Sequence, residues 1–140
     1  MELDDIEVVD KIKSWQDAVK LACEPLIKKN FITSKYIENI IESVHENGPY
    51  MVLDDFFALM HARPGDGVNK TSLSLLVTRE EVNLESKPVK IFLVLAAKDN
   101  KSHLDKLQKI IQVFMDKDKY KIILDGDLKK IQKLFEEEQL

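Results

Sequence analysis

"VKIFLVLAA", residues 89–97, is the stretch of sequence that decides the fold class. It is nearly continuously apolar and rich in Val, Ile, Leu and Phe, which is typical of a strand that is buried on both faces. A strand of this kind lies inside a sheet that is covered by helices. Residues 89–97 therefore predict an α/β protein.

Three shorter apolar runs precede this strand and predict further strands. They are "YMVL" at 50–53, "FFALM" at 56–60 and "SLSLLV" at 72–77. Asp, Gly, Asn and Pro residues separate the runs, as expected of the turns between strands.

The sequence before these strands has the spacing of amphipathic helices. Residues 14–29 predict one helix, with Ser14 as its N-cap and Pro25 as a residue that kinks or divides it. Residues 31–48 contain a second helix, with Ser34 as its N-cap and Gly48 as its stop. The apolar positions expected in the core are Trp15, Ala18, Val19, Ala22 and Leu26 in the first helix, and Ile37, Ile40, Ile41 and Val44 in the second.

Helical spacing returns after residue 97, in residues 98–116, 120–124 and 128–135. The predicted order of elements is therefore helices, strands, helices. We expect residues 1–140 to form a single α/β domain, with a central mixed β-sheet flanked by α-helices.

The composition is that of an ordinary globular protein, with 44% hydrophobic and 33% charged residues among 140. Twenty-one Lys and Arg against 25 Asp and Glu give a net charge of −4, and no basic stripe suggests a nucleic-acid partner. The single cysteine, Cys23, rules out an internal disulfide and metal sites of the multi-cysteine type. The acidic N-terminus and the short apolar runs indicate neither a signal peptide nor membrane insertion, so we expect a cytoplasmic protein.

Two strand ends carry the residues that could do chemistry. His61 directly follows "FFALM" and precedes a turn that begins at Arg63, and Ser102 and His103 open the helix after residue 97. Ligands of open α/β sheets gather at the carboxyl ends of strands, where helix N-termini attract anions. The residues alone also allow a structural His61, a capping Ser102 and a solvated Arg63.

Motifs for several other chemistries are missing from the chain. It has no glycine-rich dinucleotide or Walker loop and no nucleophile elbow. The three histidines are widely separated, and the surrounding acids lack the spacing of metal ligands. We therefore expect no cofactor and no metal.

Residues 48–107, "GPYMVLDDFFALMHARPGDGVNKTSLSLLVTREEVNLESKPVKIFLVLAAKDNKSHLDKL", resemble a known bacterial family. The stretch is similar to the mannitol/fructose-type enzyme IIA domain of the phosphoenolpyruvate-dependent sugar phosphotransferase system, nearest the ascorbate-type branch. The paired "HARP" and "SHL" motifs, in the family's order, carry the resemblance. Met60 replaces the family's usual proline, and "FFAL" replaces its usual glycine-led run.

The resemblance implies a phosphotransferase with a phosphohistidine intermediate. His61 would accept a phosphoryl group from the histidine-containing phosphocarrier protein and pass it to the IIB component of a sugar transporter, whose IIC component lies in the membrane. His103 would stabilise the phosphoryl group, and Arg63 or Thr71 could add to that stabilisation. His45 falls where many mannitol-type members carry an arginine that serves the site.

Two other functions stay open on the sequence. The same fold could act as a phosphorylation-dependent regulatory module that binds a transcription factor or a kinase. It could also be an interaction domain that has lost its chemistry, although the presence of both His61 and His103 argues against this. The sequence does not identify the sugar.

Overall fold

A five-stranded mixed sheet forms the centre of the protein in the computed structural model, which describes residues 3–101 and 104–138. The strands are β1 (Leu3–Val9), β2 (Val52–Asp54), β3 (Phe56–Met60), β4 (Ser72–Leu84) and β5 (Lys87–Ala96). Their order across the sheet is β1-β4-β5-β3-β2. β1 runs parallel to β4 and β3 runs parallel to β5, whereas the pairs β4–β5 and β2–β3 are antiparallel.

Within the described residues, five helices cover the two faces of this sheet. They are α1 (Trp15–Lys28), α2 (Ser34–Asn47), α3 (Leu104–Met115), α4 (Lys117–Leu124) and α5 (Leu128–Glu137). α1 and α2 form one core with the sheet, and α3, α4 and α5 form a second core on the opposite face. The predicted α/β fold with a mixed sheet flanked by helices is confirmed.

β5 contributes to both cores, as the run at 89–97 predicted. Phe92 and Val94 pack on the side of α1 and α2, while Leu93 packs on the side of α3 to α5, and all three are fully buried. Strands β4 and β5 are joined by Glu85 and Ser86, whose φ angles are +47° and +77°. Two consecutive positive φ angles suit a two-residue hairpin turn, because such a turn matches the twist of the strands.

The first helices largely follow the prediction, with one correction at an N-cap. Ser14 caps α1, since its hydroxyl accepts a hydrogen bond from the Asp17 backbone N–H at 3.2 Å. Pro25 lies inside α1 and does not divide it. The prediction that Ser34 caps α2 is wrong: Thr33 has the extended backbone of an N-cap, and Ser34 is the first helical residue.

β1 is an element that the sequence analysis did not predict. Its seven residues are all half-buried, and acidic side chains at Asp4, Asp5 and Glu7 interrupt its apolar positions. The first element of the described part of the chain is therefore a strand rather than a helix. Among the helices of the described residues, none is both long and apolar enough to cross a membrane.

Candidate active site

His61 is the first residue after β3 and lies half-buried at the carboxyl end of that strand. Its Nδ1 atom is 2.7 Å from the backbone carbonyl oxygen of Leu59. Because a carbonyl oxygen only accepts hydrogen bonds, Nδ1 must carry the hydrogen. The neutral ring then has its lone pair on Nε2, so this contact selects one tautomer and one nucleophilic nitrogen.

An aromatic ring borders the His61 imidazole on one side. The Tyr50 ring meets it edge-to-face, with ring centroids 6.0 Å apart and planes at 83°. The Tyr50 hydroxyl is 2.8 Å from the hydroxyl of Ser43 on α2. α2 thus holds Tyr50, and Tyr50 in turn limits where the imidazole can move.

The peptide that follows His61 is held by Tyr36, which also lies on α2. The Ala62 N–H donates to the hydroxyl oxygen of Tyr36 at 3.0 Å, and that hydroxyl donates to the Leu95 carbonyl oxygen at 2.6 Å. Tyr36 is fully buried, and this burial raises the pKa of its phenol well above the ordinary value. The hydroxyl therefore stays protonated and remains a donor to Leu95.

The turn after His61 is fixed to both β5 and α2. The Gly65 N–H donates to the Ala97 carbonyl oxygen at 2.9 Å, and the Gly67 carbonyl oxygen accepts from the Thr33 N–H at 2.9 Å. Gly67 has a φ of +80°, and a Cβ atom placed on it would lie 2.7 Å from the Tyr36 backbone nitrogen. Only glycine fits this close approach without displacing the start of α2.

His61 opens onto a cleft of about 640 Å³ between α2 and the turn. The cleft is lined by Asn39, Glu42, Ser43, Glu46, Asn47, Tyr50, His61, Ala62, Arg63, Pro64 and Asp66. Arg63 is exposed and brings the only cationic side chain among these lining residues. Asn39 donates to Asp66 at 3.0 Å, which joins α2 to the turn across one end of the cleft.

The predicted site residues do not all meet here. The structure brings His61 and Arg63 to one cleft, whereas His45 is not among the residues that line it. The His45 ring packs edge-to-face on Trp15 with centroids 5.5 Å apart, and its Nδ1 is 3.8 Å from Glu85. His45 therefore lies outside this cleft. Successive helical residues turn by about 100°, so His45 lies roughly 200° around α2 from Ser43.

The second predicted histidine, His103, and its neighbour Ser102 lie outside the described residues. The strand end that precedes them is described. There the Thr71 hydroxyl accepts a hydrogen bond from the Lys98 N–H at 2.9 Å and so joins the start of β4 to the segment after β5. Within residues 3–101 and 104–138, no group of three or more His, Cys, Asp or Glu could hold a metal ion.

Sequence reasoning missed the side chains that surround His61, namely Tyr36, Ser43 and Tyr50. One signal was available: Asn39, Ser43 and Asn47 recur every four residues and form a polar stripe beside the apolar stripe of α2. All three of these residues line the cleft. The contacts of Tyr36 with Ala62 and Leu95 leave no such trace in the local sequence.

Comparison with known proteins identifies the family. Residues 1–138 match the family described as "Phosphoenolpyruvate-dependent sugar phosphotransferase system, EIIA 2". The chain belongs to this family. The resemblance inferred from the sequence is thereby confirmed, and the protein is a phosphotransferase of the IIA class.

Individual relatives agree with this assignment. The mannitol-specific cryptic phosphotransferase enzyme IIA component of Escherichia coli K12 is 33% identical over 115 residues, which cover 81% of this chain and 78% of the relative. The ascorbate-specific EIIA component of the same strain is 29% identical over 119 residues, or 82% and 77% of the two chains. The solution structure of the cryptic mannitol enzyme IIA from Escherichia coli superposes with a TM-score of 0.86 at 30% identity, covering 93% of this chain and 90% of that one.

Proposed function

We propose that this protein is the IIA phosphocarrier of a bacterial sugar transporter and that His61 carries the phosphoryl group. The donor is the phosphohistidine of the histidine-containing phosphocarrier protein, and the acceptor is the IIB component, whose IIC partner lies in the membrane. Membership of the EIIA 2 family supports this assignment. The protein works in the cytoplasm, where the carrier protein reaches it.

The hydrogen bond between His61 Nδ1 and the Leu59 carbonyl oxygen is the observation that carries the proposal. It leaves the lone pair of Nε2 available to attack phosphorus. As the new P–N bond forms, the P–N bond to the donor histidine breaks, and the donor nitrogen keeps the electron pair. In the second transfer a nucleophile of the IIB component forms a bond to phosphorus while the P–Nε2 bond breaks. Nε2 keeps the electron pair of that bond, and His61 returns to its neutral state.

Charge develops on the three equatorial phosphoryl oxygens during each transfer, and stabilising it is the main task left to the protein. Arg63 lies on the cleft and is free of ion pairs with the described residues, so its guanidinium is available to these oxygens. His103 is proposed as a second donor on the ground of the "SHL" motif in the sequence. Glu42, Glu46 and Asp66 also border the cleft and give it an acidic rim.

The sugar is proposed to be of the type handled by ascorbate or mannitol systems. The named relatives are an ascorbate-specific and a mannitol-specific IIA component. The IIB component that accepts phosphate from this protein should therefore resemble those of the same systems. Transfer assays against purified IIB proteins of both types would distinguish the two.

The test is phosphorylation with radiolabelled phosphoenolpyruvate, enzyme I and the carrier protein. The wild type should take up an acid-labile, alkali-stable label, and His61→Ala should take up none because the nucleophile is gone. His45→Ala is the matched control, since that ring contacts Trp15 and Glu85 outside the cleft, and it should be labelled like the wild type. Labelling of folded His61→Ala at the wild-type level would refute the proposal.

A further inference from the structure

The Tyr36 hydroxyl joins the ends of two neighbouring strands, β3 and β5. Tyr36 lies on α2, Ala62 follows β3 and Leu95 lies near the end of β5. The hydroxyl accepts from the Ala62 N–H at 3.0 Å and donates to the Leu95 carbonyl oxygen at 2.6 Å. Its single hydrogen and one of its lone pairs are both used, and both contacts are to backbone.

The hydrogen bond from the Ala62 N–H to the Tyr36 hydroxyl is important because of where that N–H lies. The Ala62 N–H belongs to the peptide bond that leaves His61, so its hydrogen bond fixes the plane of that peptide. The imidazole is fixed on the opposite side, where Nδ1 meets the Leu59 carbonyl oxygen at 2.7 Å. His61 is thus held once through its ring and once through its own carboxyl-side peptide.

Core packing does not explain the hydroxyl. Tyr36 is 0% exposed, and burying a hydroxyl is unfavourable unless it is hydrogen-bonded. A phenylalanine would fill nearly the same space among the apolar neighbours without that cost. The hydroxyl therefore has a role besides the packing of the ring. Its two partners indicate that this role is to position the backbone beside His61.

We propose that Tyr36 is a positioning residue for phosphoryl transfer. Its hydroxyl holds the His61–Ala62 peptide against the end of β5, and this keeps the imidazole in the position where Nδ1 donates to Leu59 and Nε2 faces the cleft. The inference rests on the proposed role of His61 as phosphoryl acceptor. Tyr36 does not touch the phosphoryl group and acts only through His61.

Tyr36→Phe removes the hydroxyl and leaves the ring. The Ala62 N–H and the Leu95 carbonyl then lose their partner, so the peptide after His61 can rotate. The ring is no longer confined to the geometry that favours the Nδ1–H tautomer. Small displacements of a reacting group cost up to about 100-fold in rate, so we expect single-turnover transfer to His61 to slow by about 10-fold to 100-fold.

Ser74→Ala is the matched control. It also removes a buried hydroxyl that donates to a backbone carbonyl, that of Ala22 at 2.5 Å, but this contact joins β4 to α1. Both variants should lose thermal stability to a similar extent. Only Tyr36→Phe should slow the transfer.

Nitrogen NMR of the His61 side chain provides a readout that a loss of stability alone would not change. In the wild type and in Ser74→Ala the neutral imidazole should be in the Nδ1–H tautomer. In Tyr36→Phe the signals should move to a mixture of both tautomers. A folded Tyr36→Phe protein with the wild-type tautomer and the wild-type transfer rate would overturn the proposal.

Hydrogen exchange in the wild type tests the same contact without any variant. The Ala62 amide should exchange as slowly as amides inside β5, because its acceptor is a fully buried hydroxyl. Exchange at the rate of an exposed loop amide would overturn the proposal even if Tyr36→Phe failed to fold. Neither the tautomer measurement nor the hydrogen-exchange measurement involves phosphate. A negative result in either would overturn the role of Tyr36 alone, whereas labelling of His61→Ala would overturn the proposed function.

Discussion

Replacement of Gly67 by alanine should destabilise the protein through the start of α2. The new Cβ would lie 2.7 Å from the Tyr36 nitrogen and 3.1 Å from its Cα, and both are backbone atoms of a helix. These atoms cannot rotate away as a side chain would. The turn, the first residues of α2, or both must therefore shift.

The size of the effect follows from two contributions. Holding an L-residue at a φ of +80° costs about 1 kcal/mol, and forcing an extra methyl group into a packed site costs about 1 to 3 kcal/mol more. The free energy of unfolding of Gly67→Ala should thus fall by about 2 to 4 kcal/mol. The displacement reaches Tyr36, so transfer to His61 should slow as well.

Comparison with Gly126→Ala separates the steric cost of the contact with α2 from the cost of the positive φ angle. Gly126 has a similar φ of +69°, but the nearest atom to an added Cβ is Arg79 Cγ at 3.1 Å. This is a side-chain atom and lies farther away than the Tyr36 nitrogen does from Gly67, so it can shift by a few tenths of an ångström while the guanidinium stays on Asp10 and on the Gly126 carbonyl oxygen. This variant should lose only about 1 kcal/mol. Urea denaturation of both variants, with the slopes compared to confirm similar unfolding, measures the difference. Equal losses for the two glycines would show that the contact between the turn and α2 is not rigid.

Two further predictions concern His103 and Cys23. His103→Ala should still be labelled on His61, but about 10² to 10³ more slowly, because the second donor proposed for the phosphoryl oxygens is lost. Wild-type rates in rapid-quench assays would remove His103 from the proposed mechanism. Burial raises the pKa of the Cys23 thiol from 9.0 to about 12, so native protein should not react with a thiol reagent at pH 8 until it unfolds. The thiol of the unfolded chain ionises at a lower pH than the buried thiol, so its ionisation stabilises the unfolded state as the pH rises. The free energy of unfolding should therefore be unaffected by ionisation of Cys23 below pH 9 and should fall between about pH 9 and 12. In Cys23→Ala the free energy of unfolding should fall less steeply over that range.

The parts of the fold that the sequence predicted are those with strong local patterns. The run at 89–97 revealed β5 because burial on both faces requires an unbroken apolar stretch, and the stripe through Ile40 and Val44 revealed α2. β1 escaped notice because its acids break the pattern. Its place in the sheet comes from parallel pairing with β4, some 70 residues later in the chain.

The same distinction applies to the site. His61 was predicted because a strand end and a turn are adjacent to it in the sequence. The Tyr36 contacts were not, since they join residues 26 and 59 positions apart, and local spacing contains no information about them. His45 was expected at the site from its position in a family pattern, which does not include the helical rotation of α2 that places its ring on Trp15, outside the cleft.

The parallel pairing of β1 with β4 also has a consequence during synthesis on the ribosome. Leu3 pairs with Leu73 and Val9 with Thr78, so β1 is made well before its partner. At about 5 to 20 residues per second, β1 waits roughly 4 to 14 seconds for β4 to emerge. An unpaired strand invites association with other nascent chains, and charged side chains discourage it. The acids that interrupt the apolar pattern of β1 therefore also place negative charge on this strand while it is still unpaired.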